Sequence, residues 1–229
     1  HSVIVKTDGT AWAFGYNFNG QLGDGTTTLR STPVQMSGVS SAVAVAAGSS
    51  HTLIRRSDGT LLAAGLNFYG QIGDGTTTQR TTAVSVTGLT NAVEIAAGDN
   101  HSFARLSDGT VKAWGANSTG SLGDGTTTMR TSPVTVGLPA VSSVGSGGTF
   151  GVATTAAGVV YTWGSNAYGE QGEGTINAHA LVPHAISGAS FDWNVATPTL
   201  NVASGTYSFN QTVTVMNVMT GVSMHYTTT

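Results

Sequence analysis

Histidine returns at a fixed place in the chain, as His1, His51 and His101, each followed by Ser or Thr. An imidazole can move a proton or ligate a metal. A shared metal would need all three rings to converge on one ion. Residues 50 positions apart in equivalent surroundings converge only along a common axis, so the expectation is a structural histidine bonded to backbone. Asp24, Asp74 and Asp124 recur in the same way inside Gly-Asp-Gly-Thr-Thr-Thr. Calcium takes about six to eight oxygens, and each of these loops offers one carboxylate. Each Asp is therefore expected to cap its own turn and to pair with Arg30, Arg80 or Arg130. His179 and His184 lie close in sequence, but no cysteine or paired carboxylate joins them, and no metal site is expected there. The Gly-x-Asn-x-x-Gly segments at Gly15 and Gly65 resemble a phosphate loop only superficially. Such a loop opens a helix, whereas these follow a hairpin strand. Asn17, Asn67, Asn117 and Asn166 are expected to brace turns through their side chains.

No Ser, His and Asp stand at a convincing spacing, so no catalytic, cofactor-binding or metal-binding residue is expected, and no enzyme. Glu94 is the one charge in a small-residue strand and is expected to be paired. The side chains left for recognition are aromatic. Tyr16, Phe18, Phe68, Tyr69 and Tyr168 cluster beside the Asn-x-x-Gly segments. They can dock a protein or stack on a sugar; packing under a neighbouring unit is the alternative. Asn117-Ser118-Thr119 and Asn210-Gln211-Thr212 fit the glycosylation acceptor pattern.

The elements that must position these groups are strands. Residues 1–30, 51–80 and 101–130 are three copies of one pattern, and a fourth, worn copy begins at Phe150. Within a copy, a small-residue strand such as Val43-Ala44-Val45-Ala46-Ala47 ends at Gly48. A second strand starts at the histidine and ends at Asp-Gly, a strong hairpin signal between alternating apolar residues. A third strand, such as Val111-Lys112-Ala113-Trp114, leads into the Gly-rich segment. A fourth begins near Pro33 or Pro133, where a missing N–H suits a sheet edge. Units of about 50 residues and four short strands predict β-propeller blades. Small residues suit the crowded inner strand, and Trp12, Trp114 and Trp163 are expected to supply bulk between blades. A single blade cannot bury both faces, so neighbours must cover them.

Composition narrows the partners. Only 8% of residues are charged, against about 25% in a typical soluble domain. Net charge is −3, and Lys6 and Lys112 are the only lysines. No basic field exists to attract nucleic acid, and no apolar run reaches the roughly 18 residues of a membrane span. The 32 glycines, the many Ser and Thr residues and the scarcity of lysine suit an exported protein; the absence of cysteine says little about compartment.

The run Gly98-Asp99-Asn100-His101-Ser102, Asp108-Gly109-Thr110, Trp114-Gly115-Ala116-Asn117, Gly120, Leu122-Gly123-Asp124-Gly125 and Pro133-Val134 resembles the regulator of chromosome condensation repeat, in its bacterial form. The resemblance covers residues 1–187. It implies a propeller, commonly of about seven blades, whose faces and loops bind proteins; some members exchange guanine nucleotides and others bind chromatin. The chain departs from the pattern at Ala64, where an aromatic is expected, at Phe150 for His, at Gln171 for Leu, and at His179 in the place of the arginines. Exchange activity depends on residues outside the generic repeat and is not carried over. After a linker at 188–197, residues 198–229, with Gly205-Thr206-Tyr207, Gln211-Thr212-Val213-Thr214-Val215 and His225-Tyr226-Thr227-Thr228, resemble the start of the chitobiase/β-hexosaminidase C-terminal domain, an immunoglobulin-like sandwich.

The expected protein is thus all-β, with about four blades of a larger ring followed by part of an immunoglobulin-like segment, all within a longer polypeptide. The expected function is a non-enzymatic binding or structural module, secreted or on the bacterial cell surface. Its partner would be another protein, a self-assembly partner or further blades of the same polypeptide. A carbohydrate-binding propeller and a cytosolic exchange-factor-like regulator are the alternatives.

Overall fold

A computed structural model describes residues 1–176, 179–186, 199–200 and 215–216. The chain divides into two compact units, His1–Gly188 and Ala189–Thr229. In the second, the described residues are a strand pair, Thr199–Leu200 against Val215–Met216. The linker and the sandwich expected at 188–229 otherwise lie outside the described residues.

The first unit is all-β. Its first sheet has three strands, β1 (Ser2–Val5), β2 (Ala11–Gly15) and β3 (Arg30–Gln35). The second has four, β4 (Ala42–Ala47), β5 (His51–Arg56), β6 (Leu61–Gly65) and β7 (Arg80–Ser85). The third repeats this with β8 (Ala92–Ala97), β9 (His101–Leu106), β10 (Val111–Gly115) and β11 (Arg130–Thr135). The fourth runs β12 (Ser143–Ser146), β13 (Phe150–Thr154), β14 (Val160–Gly164) and β15 (Ala180–Ala185). Every sheet is an antiparallel meander in chain order. Local chemistry dictates the hairpins. Gly59 takes φ +78, which costs glycine nothing, and the Asp58 carboxylate holds the turn through the Thr60 amide at 2.9 Å. Pro33 and Pro133 sit in edge strands, as expected.

Each sheet leans on the next. Three apolar clusters fill the three junctions: Ala13, Leu22 and Met36 against Ile54 and Ala64; Leu53, Ala63 and Ile72 against Ala104 and Trp114; Phe103, Ala113 and Leu122 against Ala153 and Trp163. Burial follows this stacking. All of β6 is buried, because it is covered on both sides, whereas β1 alternates between exposed and half-buried. Backbone bonds tie the junctions at one end, from the Ala42, Ala92 and Val141 amides to the Gly9, Gly59 and Gly109 carbonyls, at 2.9–3.0 Å.

Trp114 and Trp163 lie fully buried between sheets, and each abuts the glycine of the preceding loop, Gly73 or Gly123. Trp12 departs from expectation. Its register, opposite Ile4 and Gln35, puts it two strand positions from theirs. Phe14 occupies the equivalent of Trp114, and Trp12 lies half-buried beneath the Lys6 ammonium, 5.5 Å from its ring centre.

Candidate functional site

The loops between the third and fourth strands are built on one asparagine each. Asn67 is fully buried. Its amide donates to Thr76 O and Thr78 O, both at 3.0 Å, and to Asp74 Oδ1 at 3.2 Å, while its Oδ1 accepts the Ile72 amide at 3.0 Å. Asn17 and Asn117 repeat this pattern. One side chain thus closes a loop of more than ten residues by satisfying its inward-facing backbone groups. Asp74 completes the loop. Oδ1 takes the Thr76 amide and hydroxyl, and Oδ2 takes Arg80 Nε at 2.7 Å and Nη2 at 2.6 Å. Burial opposes ionisation of Asp74, but the Thr76 hydroxyl, the Arg80 guanidinium and the Thr76 amide together hold its carboxyl below the usual carboxylate range. Asp24 and Asp124 are held low in the same way. The Asp–Arg pairing expected from the sequence is therefore present three times. Each loop then reaches the next sheet's edge strand, through Gly25, Gly75 and Gly125 amides bonded to Thr81, Thr131 and Leu181 carbonyls at 2.9 Å.

The histidines join sheets rather than capping backbone. His51 Nε2 lies 2.9 Å from Ser102 Oγ in the next sheet. The Ser102 hydroxyl spends its proton on Gln71 O at 2.9 Å, so it must accept from Nε2–H. The same carbonyl accepts Trp114 Nε1–H at 2.9 Å. His1 meets Thr52, which donates to Gln21 O at 2.7 Å. Gly151 replaces the hydroxyl residue in the fourth sheet, and His101 instead meets Ser146 at 2.9 Å. Sequence reading expected a backbone partner because a hydroxyl 51 residues away has no local signature. A Cβ on Gly48 or Gly98 would collide with the histidine ring above it, which accounts for the Gly-x-x-His spacing. Burial, followed by the charge of His101, pushes His51 down to about 3. Burial pushes His101 down to about 4, against an opposing hydrogen bond to Phe150 backbone. Both rings are neutral and internal. Among the described residues, no group of three or more His, Cys, Asp or Glu side chains comes together as a metal site. Glu94 is paired, with Arg105 at 2.7 Å, and also accepts the Ser143 hydroxyl of the next sheet.

The fourth sheet corrects one alignment. Gly164 pairs with Ala180 as Gly115 pairs with Arg130. His179 thus falls one residue ahead of the arginine position. Glu173, in the place of Asp124, meets His184 Nε2 at 2.8 Å instead.

The five aromatic candidates sit on the outside of these braced loops. Phe18 is 65%, Phe68 67% and Tyr168 92% exposed. Tyr16 and Phe18 pack edge-to-face with ring centres 5.0 Å apart, as do Phe68 and Tyr69. Ser118 and Thr119 stand at the matching places in the third copy, so the aromatic surface belongs to the first, second and fourth loops. The bracing asparagines Asn17 and Asn67 are buried and spend their amides within their own loops, whereas Asn19, next to Phe18, is half-buried.

Four-stranded meanders stacked face to face, each presenting a loop at one end, define a set of β-propeller blades. Residues 8–54 and 58–105, and again 42–71 and 92–121, match the regulator of chromosome condensation (RCC1) repeat. Residues 8–121 therefore carry repeats of the RCC1 family. A stretch of 55 residues is 44% identical to the Protein RCC2 homolog of Danio rerio, covering 23% of this chain and 11% of that protein. Yeast RCC1 (Prp20), solved bound to Kap60, superposes with TM-score 0.72 at 24% identity over 82% of this chain and 46% of its own. Human WBSCR16 gives 0.73 at 23% identity, over 82% and 50%. The chain thus spans about half the length of these structures, which share its fold.

Proposed function

We propose that this chain is a non-enzymatic protein-binding propeller segment that docks its partner on the exposed aromatic loops. The observation that carries this reading is the contrast at Phe68 and Tyr69. Beneath them Asn67, Asp74 and Arg80 brace the loop, and above them two rings face solvent. Holding large apolar side chains outside a rigid, braced loop minimises the ordering cost of binding, and aromatic anchors dominate protein interfaces. One solved relative agrees in kind: yeast RCC1 (Prp20) is described with Kap60 bound and with its binding to Gsp1p and histones. The scarcity of lysine and the abundance of Gly, Ser and Thr favour a secreted or cell-surface bacterial setting. The glycan reading is weaker, because the bracing asparagines Asn17 and Asn67 spend their amides on their own loops. The test is photo-crosslinking from position 69 in the source cell. One discrete protein adduct, lost on Phe68→Ala in a chain of unchanged stability, supports the reading. An empty result alongside a positive glycan array would replace it with the carbohydrate reading.

A further inference from the structure

We infer that Arg55 is a receptor for a carboxylate brought by a ligand, on the inner side of the junction between the second and third sheets. β4, β8 and β12 are the strands that approach one another on the inner side of the stack. In β8, Glu94 lies opposite Arg105 of β9, and its Oε2 takes Arg105 Nε at 2.7 Å. The next sheet completes the surroundings of this carboxylate. The Ser143 hydroxyl donates to Oε1 at 2.9 Å and the Val144 amide to Oε2 at 3.3 Å. The second sheet repeats the frame without the acid. Ala44 lies opposite Arg55 as Glu94 lies opposite Arg105, and the same register shift precedes both, at Ala42/Ala44 and Ala92/Glu94. The Ile95 amide is the counterpart of the Val144 amide, since Ile95 pairs with Ala104 as Val144 pairs with Ala153.

Arg55 Nε is buried and has no hydrogen-bond partner among the described residues, and no ion pair among them includes Arg55. The neighbouring charges are committed elsewhere. Arg56 Nε donates to Ser40 O at 3.3 Å. Asp58 Oδ1 takes the amide and hydroxyl of Thr60. Glu94 is held by Arg105 and the fourth sheet. Withdrawing a guanidinium N–H from water is unfavourable until an acceptor meets it, and the planar fork of arginine fits the two oxygens of a carboxylate. Arg55 and Ala44 are both half-buried, so a small acidic group can reach this place from solvent. Arg55 stands at the end of β5 away from the aromatic loop, since His51 pairs with Gly65 and Arg55 with Leu61. The inference is therefore independent of the docking proposed for that loop. The group received is the carboxylate of an acidic side chain or of a small organic acid.

The test reads the Arg55 Nε–H signal of the full chain by nitrogen–proton correlation NMR, assigned by its loss in Arg55→Met. Sodium acetate should shift this signal saturably, and sodium chloride at the same ionic strength should not. The Arg105 signal, already paired with Glu94, should stay in place. Ala44→Glu supplies the acid from β4, so it should abolish the acetate response and raise the thermal midpoint. An Arg55 signal that acetate and chloride move alike, or an acetate response that survives Ala44→Glu, overturns the inference. If Ala44→Glu does not fold, thermal midpoints decide. Acetate should raise that of the parent above its value in chloride and leave Arg55→Met, which keeps an apolar stem in place, unmoved. An equal rise in both chains overturns the inference. A capped glycine-rich peptide carrying one glutamate then separates the two sources. Half-saturation at a lower concentration than acetate assigns the group to a polypeptide side chain, and half-saturation at the same or a higher one to a small acid.

Discussion

At the junction of the second and third sheets, the space beside Gly73 is filled by Trp114, with Val86 next to it. At the junction of the first and second, the space beside Gly23 is filled by Met36, with Ala64 where the tryptophan would be. Bulk has moved from one sheet to the other while the gap stays closed. Close-packed interiors tolerate exchanges that conserve volume and resist those that do not. The repeat therefore constrains the sum of two side chains across a junction more than either one. This explains how Ala64 departs from the family pattern yet sits fully buried in an intact core.

The comparison is most exposed to failure at Trp114. Trp114→Ala should cost about 3–5 kcal/mol in chemical denaturation, because Val86 cannot reach the vacated space. Adding Val86→Met rebuilds the first junction's arrangement in the second and should return at least about 1 kcal/mol. A double variant no more stable than Trp114→Ala alone would refute the exchange.

A smaller effect separates the third loop from the fourth. Asn117 binds Thr126 O, Thr128 O and the Leu122 amide, and Asn166 binds Thr175 O and the Gln171 amide. Asn117 also donates to Asp124 Oδ1 at 3.0 Å, whereas Glu173, which stands in the place of Asp124, is turned to His184; Asn117→Ala should therefore cost about 3 kcal/mol, against about 1–2 for Asn166→Ala. Equal losses would mean that the Asn117–Asp124 bond adds nothing to the brace.

How much of this was legible from sequence depended on the range of the interaction. The strands, the Asp58-Gly59 turn and the asparagine braces are local, and local chemistry declares them. The stacking of blades followed from the repeat itself, because a recurring two-faced unit must bury both faces. What stayed hidden was the partner of most contacts between copies. His51 gave no sign that its partner was Ser102, nor Met36 that it stood in for a tryptophan at position 64. His179 aligned with the arginines only until strand pairing showed Ala180 in their place. The aromatic residues were visible, but their exposure was a three-dimensional fact.

The histidines offer a titration. Unfolded imidazoles take up a proton near pH 6.5, while His51 and His101 are held near 3 and 4 in the fold. Between these limits the unfolded chain binds more protons, so stability falls as the pH drops below about 6.5. The slope approaches about 1.4 kcal/mol per pH unit for each histidine, and stability is flat in this respect above pH 7. His51→Phe places in the second sheet the ring that the fourth carries as Phe150. It should lower stability at pH 7 by about 1 kcal/mol, through the lost bond to Ser102, and remove one histidine's share of the acid slope. An unchanged slope in urea titrations between pH 4 and 6.5 would show that the ring is already protonated in the fold.

The smallest effect on stability belongs to the residues proposed to bind. Phe68 and Tyr69 touch each other edge-to-face, and Phe68 is largely exposed. Replacing both by Ala should change stability by less than about 1 kcal/mol, since exposed positions outside the core contribute little. Phe103, at the third junction, is fully exposed to the opposite argument: it is completely buried against Trp163, with ring centres 5.5 Å apart, and Phe103→Ala should cost about 3–5 kcal/mol. If the loop pair instead destabilised the chain as Phe103→Ala does, the rings would belong to a core. The braced loop beneath them would then be their support in folding rather than a platform for a partner.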